Sequence, residues 1–191
     1  MTLPDANAFE LAAFDPAEAR RVLGWIRDEA ELRLVSPYTP PPLTTEKIMA
    51  WQDKALESFL FVERGAGPVG YGELCAVGSA IEELWIAHVV VDPARRGRGV
   101  GRRFTQRLVE RAFDAHRASR VILSVCEDNA AARSCYERCG FRAFGRRPLQ
   151  AEWLADGDCL VDMRIERLRW RAQRWREQVR QWWRGRQEMA E

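Results

Sequence analysis

The chain has 191 residues, with 30 lysine and arginine side chains against 28 aspartates and glutamates and a formal net charge of +2. That length supports one domain with a proper core, and the near balance of charge argues against a protein that binds nucleic acid over its whole surface. No glycine- or serine-rich linker, internal repeat or apolar run of about 18 residues occurs, which excludes a solenoid and a membrane-spanning helix. The opening "MTLPDANAFELAAFD" has no basic segment leading into an apolar run, so no signal peptide is expected. Five cysteines occur without a C-x-x-C pair, and no histidine cluster accompanies Cys135 and Cys139. Reduced thiols, no metal site and a cytoplasmic location are the expectations.

In chain order, "AFELAAFD" (residues 8–15) reads as a first strand, after which Asp15 caps a helix with Pro16 at its first position. Val22, Leu23, Trp25, Ile26, Ala30 and Leu34 share one broad face, which predicts a single helix to about residue 34. "SPYTPPPLT" is a stiff, non-helical loop, and Thr45 opens a second helix near "EKIMAWQDKAL". "SFLFVERGAG" and "PVGYGELCAV" form a hairpin with a glycine-rich turn. "IEELWIAHVVVDP" is too apolar and too long for an exposed edge and is predicted as a central strand. A helix follows to about residue 116, then the buried strand "RVILSVCED". A short helix, "AAARSCYERC", is capped by Asn129 and closed by Gly140, and "FRAFGRR" and "CLVDMRIER" complete the strands. Hairpins first, then strands alternating with helices, imply a mixed α/β sheet flanked by helices, with parallel pairing near the glycine turn. Residues 166–191 read as one added helix rich in arginine and tryptophan.

The strand-to-helix turn within "VVVDPARRGRGVGRRF" presents backbone N–H groups and the positive end of a helix dipole, which favour an anion. A dinucleotide fingerprint would need a third glycine where Arg102 stands, and a Walker-type loop would need G-K-[ST] where no lysine is near. A plain turn whose glycines relieve sterics is the remaining alternative. The stretch matches [RQ]-x-x-G-x-[GA] as Arg96-Gly97-Arg98-Gly99-Val100-Gly101, and beyond a helix and a buried strand comes "NAAARSCYERCGF". With these motifs in this order, the chain resembles the GNAT N-acetyltransferase superfamily, well over roughly residues 58–165 and loosely over the N-terminal third. The resemblance implies a partly splayed mixed sheet, a GNAT domain over residues 1–165 and a basic helix appended over residues 166–191. It also implies acetyl-CoA as co-substrate and transfer of its acetyl group to a primary amine of a small molecule or protein.

Under that resemblance, N–H groups from Arg96 to Gly101 form a nest for the pyrophosphate, while Gly97, Gly99 and Gly101 remove obstructing Cβ atoms. Arg96, Arg98, Arg102 and Arg103 add charge. The main chain of Val89, Val90 and Val91 is implied to pair with the pantetheine arm, with Asn129 on its other side. Tyr136 matches the family's general acid, and the N–H near Val90 or Val91 would polarise the thioester carbonyl. Glu82 and Glu83 begin the central strand on opposite faces. Glu83 is the candidate base, with His88 the alternative titratable group. The short-helix motif also looks like that of the ribosomal-protein alanine N-acetyltransferases, in which a glutamate on the preceding strand is the base. Ser124 stands there in this chain, which speaks against N-terminal-alanine acetylation. Trp25, Tyr38 and Trp51 fall in segments that commonly cover the acceptor site, with core packing expected for the tryptophans.

In the tail, Ile165, Leu168, Ala172, Trp175, Val179, Trp182 and Met189 recur at helical spacing. Nine arginines and four glutamates from residue 164 onward give this segment a net +5 and leave −3 on the rest. The stripe predicts docking on its own domain or on a second subunit of a homodimer, in preference to a membrane or nucleic acid. A non-catalytic acyl-CoA-binding module working through this helix is the rival to an enzyme, and Tyr136 favours the enzyme.

Overall fold

A seven-stranded sheet in the order β1-β2-β3-β4-β5-β7-β6 organises the chain in a computed structural model that describes residues 8–78, 82–154 and 157–188. The strands are β1 (Phe9–Ala13), β2 (Glu57–Glu63), β3 (Gly67–Ala76), β4 (Glu83–Val91), β5 (Arg120–Cys126), β6 (Arg142–Pro148) and β7 (Cys159–Glu166). The helices are α1 (Ala19–Gly24), α2 (Glu29–Val35), α3 (Thr45–Trp51), α4 (Val100–Asp114), α5 (Ala130–Arg138) and α6 (Arg167–Glu188). Every pairing is antiparallel except β4 with β5, and β4 occupies the middle of the sheet as its apolar run predicts.

The single helix expected over residues 16–34 is instead a 3-10 turn followed by two short helices. Asp15 caps the first turn, its carboxylate accepting from the Ala17 N–H at 2.9 Å with Pro16 at the first position. Asp28 then accepts from the Glu31 N–H at 2.8 Å and starts α2 afresh. Apolar periodicity is blind to that second cap, which satisfies a donor that a continuous helix would have used internally.

The two faces of the sheet carry separate cores. Phe59 and Phe61 of β2 join Phe104 and Leu108 of α4 on one face. Leu60 of β2 and Tyr71 of β3 pack with Val22, Ile48 and Trp51 of α1 and α3 on the other. Alternation along β2 is thus the plain period of two. Gly70 and Gly72 of β3 give α4 its close approach. A Cβ at Gly72 would stand 3.1 Å from the Phe104 ring, and one at Gly70 would stand 3.2 Å from it.

In β4 the alternation breaks. Leu84 and Ile86 face the α4 core, whereas Val90 faces the α1–α3 core, and Val89 and Val91 have moved to the α4 side. The cause is a β-bulge: Tyr71 pairs with Val90 and Glu73 with Ala87, so His88 and Val89 together oppose Gly72. His88 absorbs the extra residue with φ +49°, a left-handed conformation uncommon outside glycine and most often met there by asparagine, aspartate and histidine.

The first turns of α6 dock on the domain, but through a different face from the expected stripe. Trp170 is buried, tilted against Phe113 with ring centroids 5.2 Å apart, and Arg174 pairs with Glu110. Leu168 and Trp175, both in the stripe, are 81% and 66% exposed, while Ile165 belongs to β7 and is fully buried. Met189 lies outside the described residues. Trp170→Ala should therefore lower unfolding free energy by about 3 kcal/mol, and Trp175→Ala by less than about 0.5 kcal/mol. Urea melts of the two variants check this order, and equal losses would contradict it.

Candidate active site

The parallel pairing of β4 and β5 is short: Glu83 with Arg120, Leu84 with Val121 and Trp85 with Ile122. Beyond Trp85 the two strands share no further pairs. β5 stays bonded to β7 out to Cys126, and β4 stays bonded to β3 out to Val91. Their inner edges therefore open into a cleft of about 200 Å³. Ile86, His88 and Val89 line it from β4, Ser124 and Val125 from β5, and Asn129 and Tyr136 from the α5 side.

The open edge of β4 leads directly into the turn before α4. Gly97 and Gly99 have φ of +74° and +79°, so glycine serves the backbone conformation there, and a methyl group at either position would meet no atom within 4 Å. Gly101 is different. It lies within α4, and a Cβ there would make ordinary contacts, 3.7 Å to Val91 and 3.9 Å to the Cys135 sulfur. Gly99 is the N-cap of α4 and supplies no capping side chain, so the first-turn N–H groups of Val100 and Gly101 meet none. A left-handed turn feeding an uncapped 15-residue helix is a built anion nest. These residues fit the pyrophosphate of a coenzyme A thioester, and the open β4 edge fits its extended amide-bearing arm.

The arginines divide. Arg98 is exposed beside the nest, and Arg103 lies over the Phe9 ring at 5.7 Å. The side chain of Arg102 lies half-buried in the first turn of α4. The Arg96 side chain, expected to add charge to the nest, stays partly exposed but is held by acceptors of the protein itself. Its guanidinium donates to the Val91 carbonyl at 3.0 Å, the Trp25 carbonyl at 2.7 Å and Glu31 at 2.7 Å. Burial works against ionisation of Glu31, but hydrogen bonds from Arg27 and Arg96 outweigh it and hold the carboxyl down to about 2. Arg96 thus pins α2 to the end of β4, because three fixed acceptors there satisfy the fork better than water would.

Tyr136 lines the cleft with its ring edge-on to Phe141 at 6.1 Å. Burial, reinforced by Cys135 and Cys139, raises its hydroxyl above the usual phenol range, so it stays protonated at working pH. Asn129 lines the same cleft, and its Oδ1 caps α5 by accepting from the Ala132 N–H at 3.1 Å. Val90 is buried in the α1–α3 core, and Val89 and Val91 pack partly buried on the α4 side.

Glu83, the expected base, does not line the cleft. It sits at the closed, paired end of β4 with its carboxylate 3.3 Å from Arg120. The bulge brings His88 there instead, stacked on Trp51 at 4.3 Å. His88 Nδ1 lies 2.8 Å from Glu73, which is fully buried and also accepts from the Tyr71 hydroxyl. With Glu73 as the acceptor of this contact, the fitting tautomer carries its proton on Nδ1 and presents Nε2 as an acceptor. The Tyr71 hydroxyl is raised far above its ordinary range, by burial first and by Glu73 second. Glu73 was legible only as a lone carboxylate inside the apolar run "GYGELCAV". Tyr38 also lines the cleft, while Trp25 and Trp51 are core residues as expected.

Comparison with known proteins agrees with this geometry. Residues 21–141 match the model of the acetyltransferase (GNAT) family. An N-alpha-acetyltransferase RimI of Mycobacterium tuberculosis is 37% identical over 144 residues, covering 75% of this chain and 84% of that protein. Among solved structures, a spermidine N-acetyltransferase from Vibrio cholerae in complex with CoA and spermine superposes with a TM-score of 0.74 at 16% identity. That match covers 86% of this chain and 98% of the other. A putative acetyltransferase, yncA, from Salmonella typhimurium with its cofactor acetyl-CoA gives 0.66 at 20% identity over 84% and 94%. No helix among the described residues is long and apolar enough to cross a membrane. The motif-bearing turn, the opened β4 edge and the extent of the family match together establish that the chain belongs to the GNAT acetyltransferase family, an acyltransferase with acetyl-CoA as its co-substrate.

Proposed function

We propose that the protein transfers an acetyl group to a primary amine of a small molecule or a protein, with residues 1–165 as the transferase domain and 166–191 as an appended helix. One observation carries the reading: the bulge in β4 sets a carboxylate-oriented histidine in the same cleft as a protonated tyrosine. Acetyl-CoA supplies the activated thioester. The nest from Gly97 to Gly101, with Arg98 and Arg102 beside it, holds the pyrophosphate, and the main chain of Val89 to Val91 with Asn129 orients the arm. His88, oriented by Glu73, takes the proton from the acceptor ammonium, and Tyr136 holds the proton that the departing thiolate needs. A backbone N–H next to the bulge is the donor available to the carbonyl oxygen. The five free thiols support a reducing, cytoplasmic setting.

Thiol release from acetyl-CoA across a panel of amines tests the reading, with Tyr136→Phe as the paired variant. We expect kcat to fall by about 10²-fold or more while acetyl-CoA affinity stays within a few-fold. Unchanged kcat at saturating substrate would return Tyr136 to packing on Phe141. Absence of thiol release with every amine would overturn the proposed transfer itself.

A further inference from the structure

We infer that the cleft contains a carboxylate-binding subsite built on Arg147, so that the amine acceptor is a molecule that also carries a carboxylate. The inference rests on the acetyl-transfer reading above and narrows its substrate class. Among the described residues, no aspartate or glutamate lines the cleft. Arg147 is the one side chain among the described lining residues that is always charged. An acceptor that is only cationic would meet a guanidinium whose one neighbouring carboxylate, Asp162, is already paired with it. The polyamine held by the fold neighbour from Vibrio cholerae is of that kind, and this cleft is chemically unsuited to it.

The guanidinium is held in place without being used up. Arg147 projects from β6 with its side chain 40% exposed. Its Nε lies 3.3 and 3.4 Å from the two oxygens of Asp162 on β7, a loose contact for a charge-assisted pair. Asp162 is further engaged by the Ser124 hydroxyl of β5. Nη1 of Arg147 donates to the Tyr38 hydroxyl at 3.0 Å and Nη2 to Ser124 Oγ at 3.3 Å. A guanidinium has five N–H donors in a planar fork, and these contacts engage three. The remaining two, one on each terminal nitrogen, are left for an incoming carboxylate.

The surroundings fit this use. Three separate segments fix the fork: the loop bearing Tyr38, the β5 position of Ser124 and the β7 position of Asp162. Leu34, Val35 and Leu160 line the same cleft and suit an apolar body between amine and carboxylate. The carboxylate has two natural sources, the α-carboxylate of a free amino acid or an acidic side chain near a peptide N-terminus.

Matched acceptor pairs separate these sources. The first pair is L-leucine and L-leucinamide, the second the peptide amides Leu-Glu-Ala and Leu-Gln-Ala, and spermidine is the cationic reference. Thiol release gives kcat/KM for each with the full-length wild type, Arg147→Gln and Arg147→Lys. In the wild type, at least one carboxylate member should exceed spermidine. The carboxylate-to-amide ratio of its pair should fall about tenfold or more in Arg147→Gln, through KM, with partial rescue in Arg147→Lys. Taking the ratio in each protein cancels the differing basicity of the amines. A fall confined to the first pair identifies a free amino acid, and one confined to the second identifies an acidic peptide. If neither ratio changes while thiol is still released, the subsite is wrong and acetyl transfer stands. Should Arg147→Gln fail to fold, wild-type ratios equal to those of Arg147→Lys with spermidine preferred would overturn it equally. No release with any of the five acceptors would overturn the subsite, and a panel of other amines then decides whether transfer fails with it.

Discussion

His88→Asn should lower kcat by about 10²-fold or more while leaving stabilisation by acetyl-CoA intact. Asparagine is the suitable replacement because it tolerates the φ of +49° at this bulge and its amide can still reach Glu73, so the loss reports the missing base. The defect should shrink as pH rises, since an amine that arrives neutral no longer needs a proton acceptor. Glu73→Gln, acting through His88 as a positioning residue, should lower kcat with acetyl-CoA stabilisation unchanged, because the fully buried carboxylate would no longer hold the imidazole through Nδ1. Steady-state rates between neutral and alkaline pH check both. A pH-independent defect in His88→Asn would assign the histidine to packing on Trp51.

The second large effect is at Gly99. If the turn at Gly97 to Gly101 holds acetyl-CoA as proposed, the ligand at about 100 times Kd should stabilise the protein by about 2.7 kcal/mol. Gly99→Glu sets a side chain at φ +79° and an anion at the N-terminus of α4, where the dipole and the Val100 and Gly101 amides await a phosphate. The apo variant should lose about 1–2 kcal/mol from the left-handed backbone alone and remain folded. The ligand-induced rise in Tm should vanish. Thermal melts with and without acetyl-CoA give the answer, and a full shift in the variant would remove the nest from the binding site.

Much of this site was readable from residue order. The run "LWIAHVVV" could only be a buried strand, Gly97 and Gly99 fall where the backbone needs positive φ, and Asn129 caps α5 as its side chain requires. What escaped is what depends on pairing between segments distant in sequence. Period-two patterning has no sign of an extra residue, so the inversion at His88 appears only once Tyr71 and Glu73 are matched with Val90 and Ala87. Glu83 was a fair candidate for a strand start, but which end of β4 opens depends on where β5 stops pairing, after Trp85. Arg96 read as charge for a ligand, whereas carbonyls of Trp25 and Val91 and the carboxylate of Glu31 claim it. In α6 the periodicity finds an apolar stripe, yet Phe113 and Glu110 select the face bearing Trp170 and Arg174.

The central claim is that one cleft, opened where β4 and β5 part, holds the thioester between His88 and Tyr136. A crystal structure with coenzyme A tests it most directly. The account predicts the pyrophosphate on the amides of Val100 and Gly101, the arm along the main chain of Val89 to Val91, and the thiol within hydrogen-bond reach of the Tyr136 hydroxyl. A coenzyme bound away from the turn at Gly97 and Gly99, or a thiol on the closed side of β4 near Glu83, would contradict it.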